Sequence, residues 1–182
     1  MQHGVRVGLF GSLVAVAVVL AASPARAAGC EDLAQLKFSD ATVTLAQSVA
    51  AGAFTPPAGG RGGNQYADLP AFCRVTATLK PSSDSDIKIE VWLPAVNWNS
   101  KYQAVGNGGW AGVISYSAMA QAVSRGYAAS STDTGHVGGS GSFALGHPEK
   151  LIDFSYRSEH EMTVKAKAII DAFYGSAPRL SY

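Results

Sequence analysis

Alternating apolar and polar residues mark two strands in the first half of the chain. Phe72–Leu79 and Ile87–Leu93 place apolar side chains at nearly every second position, the period of a strand with one buried face. The turn-forming segment Pro81–Asp86 lies between them and predicts an antiparallel hairpin. Pro94 should end the second strand, because proline cannot donate to a sheet ladder. Threonine and valine in Ala41–Val49 predict a further strand before the hairpin.

Beyond the hairpin the pattern changes to short strands that alternate with helices. The clearest helix carries four apolar residues at i, i+4, i+7 and i+11, on one helical face: Met162, Ala166, Ile169 and Phe173. The predicted order is strand Tyr102–Val105, helix Ser117–Arg125, strand Tyr127–Thr132, helix Ser155–Tyr174 and the first residues of a strand at Leu180–Tyr182. This alternation implies a parallel sheet with helices on its faces, so the predicted fold class is α/β.

The first 27 residues have the three-part layout of a secretory signal peptide. Arg6 provides a positive start, Leu9–Ala22 is almost entirely apolar, and Ala25–Ala27 has the A-x-A cleavage pattern. The alternative is a transmembrane anchor, but the apolar run is shorter than the roughly 20 residues that span a bilayer. We therefore expect cleavage after Ala27, a secreted or periplasmic protein without membrane attachment, and a domain formed by residues 28–182.

Composition narrows the class of protein further. Hydrophobic residues make up 47% of the 182 residues and charged residues only 15%, which is the opposite of the balance in a disordered chain. The 14 Lys and Arg against 13 Asp and Glu give a net charge of +1. This offers no basic excess to neutralise a phosphate backbone, so we expect no nucleic-acid partner. Composition leaves the oligomeric state open.

The predicted export decides how the two cysteines, Cys30 and Cys73, are interpreted. An oxidising compartment favours a disulfide between them, and the alternative is a pair of free buried thiols. Two thiols are too few for a zinc site without histidines. The four histidines have no metal-ligand spacing: His3, His136, His147 and His160. We therefore expect neither a metal site nor a cofactor in this chain.

Glycines cluster directly after the predicted strand Tyr102–Val105. Gly106–Ala111 matches G-x-G-x-x-A, the fingerprint of a dinucleotide-binding turn, but the next helix begins several residues too late and a hairpin precedes the strand. A second hypothesis is that backbone N–H groups of this loop form part of an oxyanion hole. The simplest alternative is a tight turn that requires a positive φ.

Polar residues gather at the end of the next predicted strand, in Ser131–His136. Asp133 and His136 suggest a catalytic relay with a neighbouring serine, but residues this close across one turn rarely align for proton transfer. His136 is therefore expected to be structural or to line a pocket.

No complete nucleophile motif accompanies these residues. G-x-S-x-G does not occur in the 182 residues, and Gly138–Ser142 comes nearest but lacks the last glycine. Trp110, which follows the glycines, should either line a pocket or fill the core.

Taken together, these stretches resemble the tannase and feruloyl esterase family of secreted serine esterases, which includes mono(2-hydroxyethyl) terephthalate hydrolases. The resemblance covers nearly all of residues 28–182. Three runs are fairly specific when taken together, although no single one is: Trp98–Asn99 at the start of the matching segment Trp98–Tyr102, Gly106–Gly112 and Ser131–His136. The other matching segments are Cys30 with Leu33–Phe38, Ala41–Thr44, Leu69–Cys73, Ile87–Pro94, Gly126–Ser130 and the helix end at Phe173–Gly175.

The resemblance implies the N-terminal part of an α/β-hydrolase core with a Ser-Asp-His triad. In the family the serine lies in a G-C-S-x-G-G turn after the strand that would begin near Leu180. The triad, the lid domain and the calcium site of the lid are therefore expected beyond the last residue of this chain. By resemblance, Gly109 is a backbone donor of the oxyanion hole and Cys30 pairs with Cys73. His136 holds a structural or pocket-forming position.

Two functional hypotheses result, from different classes. The first is the N-terminal part of a secreted esterase for phenolic or other aromatic esters, with Gly108, Trp110 and His136 near the substrate. It would be inactive alone, because the triad is absent. The second is a non-enzymatic secreted domain that binds a small aromatic or carbohydrate ligand through the glycines and Trp110.

Overall fold

The structure, a computed structural model, describes Met1 and residues 27–57 and 64–182. Apart from its two end residues, the predicted signal peptide lies outside this part of the chain. The strands are β1 Ala41–Val49, β2 Phe72–Leu79, β3 Ile87–Pro94, β4 Lys101–Val105, β5 Ala128–Thr132 and β6 Leu180–Ser181. The α-helices are α1 Tyr116–Ser124, α2 Pro148–Ile152 and α3 Ser158–Tyr174. Within these residues no helix has the length and apolar character needed to cross a membrane.

The six strands form one mixed sheet in the order β1-β2-β3-β5-β4-β6. β2 and β3 pair antiparallel with Leu79 opposite Ile87, which confirms the predicted hairpin, and β1 pairs antiparallel with β2. β4 lies parallel to both β5 and β6, as the alternation of strands and helices predicted. The antiparallel pair β3 and β5 joins the two halves of the sheet.

Each face of the sheet carries a different kind of core. On the face covered by α3, the buried residues of β2 and β3 are aliphatic, and Met162, Ala166 and Ile169 pack against them without exposed surface. On the face covered by α1, the core is rich in aromatic rings, and Phe72 stacks on Trp92 with ring centroids 4.5 Å apart. The two-residue period of β2 and β3 directs alternate side chains into these two cores.

The helical run that ends with α3 begins at Pro148, earlier than the periodicity predicts, and is interrupted by a π-turn. We predicted a start at Ser155, but α3 starts at Ser158 because Asp153–Arg157 form a π-turn. Inside that turn the fully buried Asp153 accepts hydrogen bonds from Arg157 Nε at 2.6 Å and from Ser85 Oγ at 3.1 Å. Apolar periodicity carries no information about such polar contacts. The other predicted bounds agree with the structure to within about one residue.

Cys30 and Cys73 form a disulfide with their Cα atoms 5.5 Å apart. This decides between the two alternatives that the sequence left open, and no free cysteine occurs in the described residues. The bond joins the start of the domain to β2. In the chain-entropy model a loop of this length stabilises the fold by about 4 kcal/mol.

Candidate functional site

Two loops leave the same edge of the sheet side by side. β4 ends at Val105 and β5 at Thr132, and these parallel neighbours have their carboxyl ends at one edge. We call residues 106–112 the glycine loop and residues 132–136 the β5 turn. Ligands of open α/β sheets bind outside the carboxyl ends of the strands. The two loops are therefore the candidate functional site.

The glycine loop offers a free backbone donor. Residues 108–111 form a tight turn in which the N–H of Ala111 donates to the carbonyl of Gly108 at 3.2 Å. Gly109 has a φ of 56°, in the left-handed region that favours glycine. No described heavy atom lies within 4 Å of the position that a Cβ on Gly109 would take. Its N–H donates to no described residue, so the amide is available to a ligand.

Both ends of the glycine loop are tied to the strand and turn beside it. Near the start, Asn107 Nδ2 donates to the carbonyl of Thr132 at 2.9 Å. At the end, the N–H of Gly112 donates to the carbonyl of Gly138 at 2.7 Å. A Cβ on Gly112 would overlap the backbone carbonyl of His136, so only glycine permits this close approach. The arc between the tethers is therefore positioned by the β5 turn together with Gly138, two residues beyond it.

The β5 turn is itself held by buried hydrogen bonds. Asp133, which is 7% exposed, accepts from the N–H of Lys88 at 2.9 Å and from the N–H of Gly135 at 2.8 Å. Burial away from water raises the pKa of the Asp133 carboxyl to about 6, against these two bonds, which lower it. The N–H of Thr134 donates to Thr132 Oγ1 at 3.1 Å. The turn is thus ordered from within and attached to the start of β3.

His136 lies under the glycine loop and among aromatic rings. Its Nε2 is 2.9 Å from the carbonyl oxygen of Trp110. Its ring stacks on Phe143 with centroids 3.8 Å apart and meets the edge of Phe154 at 5.6 Å. Trp110 stacks on Phe154 at 4.6 Å and remains 43% exposed. The structure therefore brings two of the sequence candidates, His136 and Trp110, into direct contact.

The serines at the end of β5 are not available as nucleophiles. Ser130 and Ser131 have no exposed surface. The hydroxyl of Ser130 shares a 2.6 Å hydrogen bond with the Tyr102 hydroxyl, and Ser131 Oγ accepts from the N–H of Ser115 at 2.9 Å. As the sequence argument expected, the short segment Ser131–His136 therefore does not form a Ser-His-Asp relay.

The dinucleotide hypothesis also lacks its structural requirement. α1 begins at Tyr116, so the glycine loop does not open directly into a helix and a pyrophosphate there would not meet a helix N-terminus. Among the described residues, no group of three or more His, Cys, Asp or Glu side chains could hold a metal ion.

Sequence reasoning missed a buried polar network beside the site. Glu90 of β3 accepts from Arg74 Nε at 2.9 Å and Nη2 at 2.6 Å, from Trp92 Nε1 at 3.0 Å and from the Tyr116 hydroxyl at 2.9 Å. This carboxylate joins the start of α1 to the sheet. A glutamate in an otherwise apolar half of a strand was the available signal.

A second missed carboxyl lies at the start of the glycine loop. Glu159 Oε1, in the first turn of α3, is 3.7 Å from the position that a Cβ on Gly106 would take. Burial raises the pKa of Glu159. Its helical position gave no sequence signal, because the contact depends on how α3 packs across the sheet.

Comparisons with known proteins agree with the fold. The family model described as "Tannase and feruloyl esterase" matches residues 73–182. An uncharacterized esterase from Xanthomonas campestris pv. campestris is 41% identical over 182 residues, which cover 99% of this chain and 31% of that protein. Feruloyl esterase B from Aspergillus niger is 37% identical over 111 residues, covering 61% of this chain and 21% of that protein.

Solved structures point the same way. The crystal structure of feruloyl esterase B from Aspergillus oryzae superposes with a TM-score of 0.77 at 32% identity, covering 84% of this chain and 30% of that one. Tannin acyl hydrolase from Aspergillus niger has a TM-score of 0.58 at 20% identity over 78% of this chain and 28% of that one, which supports the fold alone. The chain spans between about a fifth and a third of the length of these proteins.

Proposed function

The chain belongs to the tannase and feruloyl esterase family, and from this premise we propose that it is part of a serine esterase that hydrolyses phenolic or other aromatic esters. The observation that carries the proposal is the Gly109 amide. It donates to no residue in the described part of the chain, it lies at the carboxyl edge of the parallel strands, and it is held in a turn that needs a positive φ. The similarity to proteins named feruloyl esterase B supports the class of ester.

The chemistry that this amide would support is acyl transfer. A serine attacks the ester carbonyl while a histidine takes its proton, and negative charge develops on the carbonyl oxygen. The N–H of Gly109 would donate to that oxyanion. Removing one such donor typically lowers the rate by about 10² to 10³. A donor fixed before the reaction stabilises the charge without reorganising, which is why a tethered loop suits this role.

Trp110 gives the proposed site its preference for an aromatic substrate. Its partly exposed ring follows Gly109 directly in sequence and is supported from behind by Phe154. The ring of the ester would stack on this surface, as aromatic pairs do. Gly108 adds open space, since no described atom lies within 4 Å of its Cβ position. His136 supports this wall from below.

The nucleophile in this proposal is supplied from outside residues 1–182. The chain has no G-x-S-x-G motif, and the serines beside the β5 turn are buried. The proposal is therefore that residues 1–182 alone do not hydrolyse esters. The resemblance assigns the triad, the lid and its calcium site to the same additional part.

We also propose that the protein is exported. The three-part N-terminal sequence and the Cys30–Cys73 disulfide support an oxidising destination. Mass spectrometry of the mature protein tests this: we expect a first residue of Ala28 and a mass two hydrogens below that of the reduced chain. Protein that remains in the cytoplasm with Met1 intact and both thiols free would contradict it.

A chimera tests the proposed activity. Residues 28–182 replace the segment that they match within the N-terminal 31% of the Xanthomonas esterase that this chain covers. Hydrolysis of methyl ferulate, methyl gallate and ethyl butyrate is measured for the chimera, the unmodified esterase and the purified 182-residue chain. We expect the chimera to hydrolyse the aromatic esters and to be blocked by a serine-directed reagent. The 182-residue chain should not exceed the blank.

The possible results separate the hypotheses. Turnover by the 182-residue chain that a serine reagent stops would disprove the external nucleophile. An inactive chimera beside an active parent esterase would disprove the esterase role. Saturable binding of an aromatic or carbohydrate ligand to the chain, together with an inactive chimera, would favour the non-enzymatic binding domain.

A further inference from the structure

One hydrogen bond connects the β5 turn to the middle of the glycine loop. His136 Nε2 lies 2.9 Å from the carbonyl oxygen of Trp110, a residue 26 positions away in sequence. A carbonyl oxygen only accepts hydrogen bonds, so Nε2 must carry the hydrogen and donate it. Apart from the bond that closes the turn itself, this is the one hydrogen bond to residues 108–111 among those that the structure describes.

The imidazole ring has little freedom to move. His136 is 7% exposed, its face stacks on Phe143 at an interplanar angle of 12°, and the edge contact with Phe154 limits rotation. The second ring nitrogen, Nδ1, is 3.3 Å from Thr134 Oγ1. A donor held in this way has lost its side-chain entropy before any ligand arrives.

The backbone that carries His136 is fixed as well. Thr134 has a φ of 57°, and a β-branched residue in the left-handed region is strained. The turn persists because its buried bonds determine it: Gly135 N–H to Asp133 Oδ1, and Thr134 N–H to Thr132 Oγ1. Backbone strain of this kind clusters at active sites and ligand-binding segments. Here the strained turn places the His136 side chain against the glycine loop.

We propose that His136 is a positioning residue whose hydrogen bond to the Trp110 carbonyl sets the direction of the Gly109 N–H. This inference rests on the esterase function proposed above. Trp110 follows Gly109 in the same four-residue turn, so fixing the carbonyl of Trp110 fixes the turn as a rigid unit. His136 does not touch the ester in this account. It acts through the loop.

Two substitutions separate this role from simple packing. His136→Phe keeps a ring that can stack on Phe143 but loses the donor, whereas His136→Gln keeps an N–H donor of similar reach but loses the ring. In the chimera we expect His136→Phe to lower kcat by about 10²-fold with KM within about threefold, because misplacing a catalytic group by about 1 Å costs about that factor. His136→Gln should retain kcat within about fivefold while its melting temperature falls more.

A packing role predicts the reverse order. If the ring contributes only packing, the Phe variant keeps its activity, and the Gln variant loses activity in proportion to its loss of folding stability. That result, or equal losses in both variants, would overturn the proposal. Val137→Ala is the control, because Val137 is 89% exposed next to His136 in sequence and its truncation should leave kcat unchanged.

Hydrogen exchange in the 182-residue chain tests the same claim without catalysis. The Ala111 amide closes the glycine-loop turn, so its exchange rate measures how well that turn is ordered. We expect His136→Phe to speed Ala111 exchange at least tenfold and His136→Gln to leave it within about threefold of the original rate. An unchanged rate in the Phe variant would contradict positioning. If the chimera is inactive while exchange follows this order, the esterase function fails and the positioning of the loop stands.

Discussion

The glycine loop and the β5 turn leave neighbouring parallel strands at the same sheet edge, yet they are built in opposite ways. The glycine loop is exposed at its centre and presents an amide that has no hydrogen-bond partner among residues 27–57 and 64–182. The β5 turn is buried from Thr132 to His136 and nearly all of its polar groups bond within the protein. The first is free to bind a ligand, and the second is ordered enough to hold the first in place.

The difference shows how a loop without a side chain at its centre can be made rigid. A glycine turn has little packing of its own and loses much conformational entropy on folding. Here the order comes from the neighbouring turn through Asn107, Gly112 and the Trp110 carbonyl. Each of the following predictions concerns a substitution in either the glycine loop or the β5 turn.

The largest expected effect comes from inserting a side chain where the two loops are in close contact. Gly112→Ala forces a Cβ against the backbone carbonyl of His136, which cannot move without opening the β5 turn, so we expect a loss of about 3 kcal/mol in unfolding free energy. Gly108→Ala is the matched control, since its Cβ meets no described atom within 4 Å, and should cost under about 0.5 kcal/mol. Urea unfolding of the 182-residue chain measures both. Equal losses would contradict the close contact.

A smaller effect should appear in the pH dependence of stability. The pKa of Asp133 is raised from 3.8 to about 6, so between these values the folded chain binds a proton that the unfolded chain does not. Stability from this group is therefore present at low pH and is lost as the pH rises through about 6. The nearby charges, Lys88 and Asp86, oppose each other in setting this pKa.

Asp133→Asn tests that sign. The amide keeps the acceptor for Lys88 and Gly135 but cannot ionise. As the pH falls from 7.5 to 4.5, the unfolding free energy of the original chain should therefore rise by about 2 kcal/mol relative to that of the variant. Asp68→Asn, at an exposed carboxyl, serves as the control. A difference between original and variant that stays constant across this range, or that grows with pH, would refute the burial of an ionisable Asp133.

The smallest expected effect concerns the exposed side of the glycine loop. Trp110→Leu removes the proposed aromatic wall but keeps an apolar side chain, so the KM of the chimera for methyl ferulate should rise about fivefold, equivalent to about 1 kcal/mol of lost stacking. The KM for ethyl butyrate should stay nearly the same, because that ester has no ring to stack. Equal changes for both esters would show that Trp110 only supports the fold.

The two loops also differ in how far sequence could predict them. The strands that lead into them follow from two-residue periodicity and the carboxyl-edge position follows from strand order, whereas Gly109 was singled out only by the family resemblance. The contact between His136 and Trp110 does not, because it joins residues 26 positions apart and depends on which strands are neighbours. Phe143 and Phe154 could not be foreseen as its supports, since they belong to a short 3-10 helix and to the π-turn.

The most direct test of the account is the backbone conformation of Gly109. In the chimera, Gly109→Val and Gly109→Asn both keep the N–H and both meet open space. Asparagine tolerates a φ of 56° whereas valine does not. We predict that kcat for methyl ferulate falls by about 10²-fold in the valine variant and by less than about tenfold in the asparagine variant. A valine variant with the kcat of the unmodified chimera would contradict the assignment of Gly109 as the oxyanion donor.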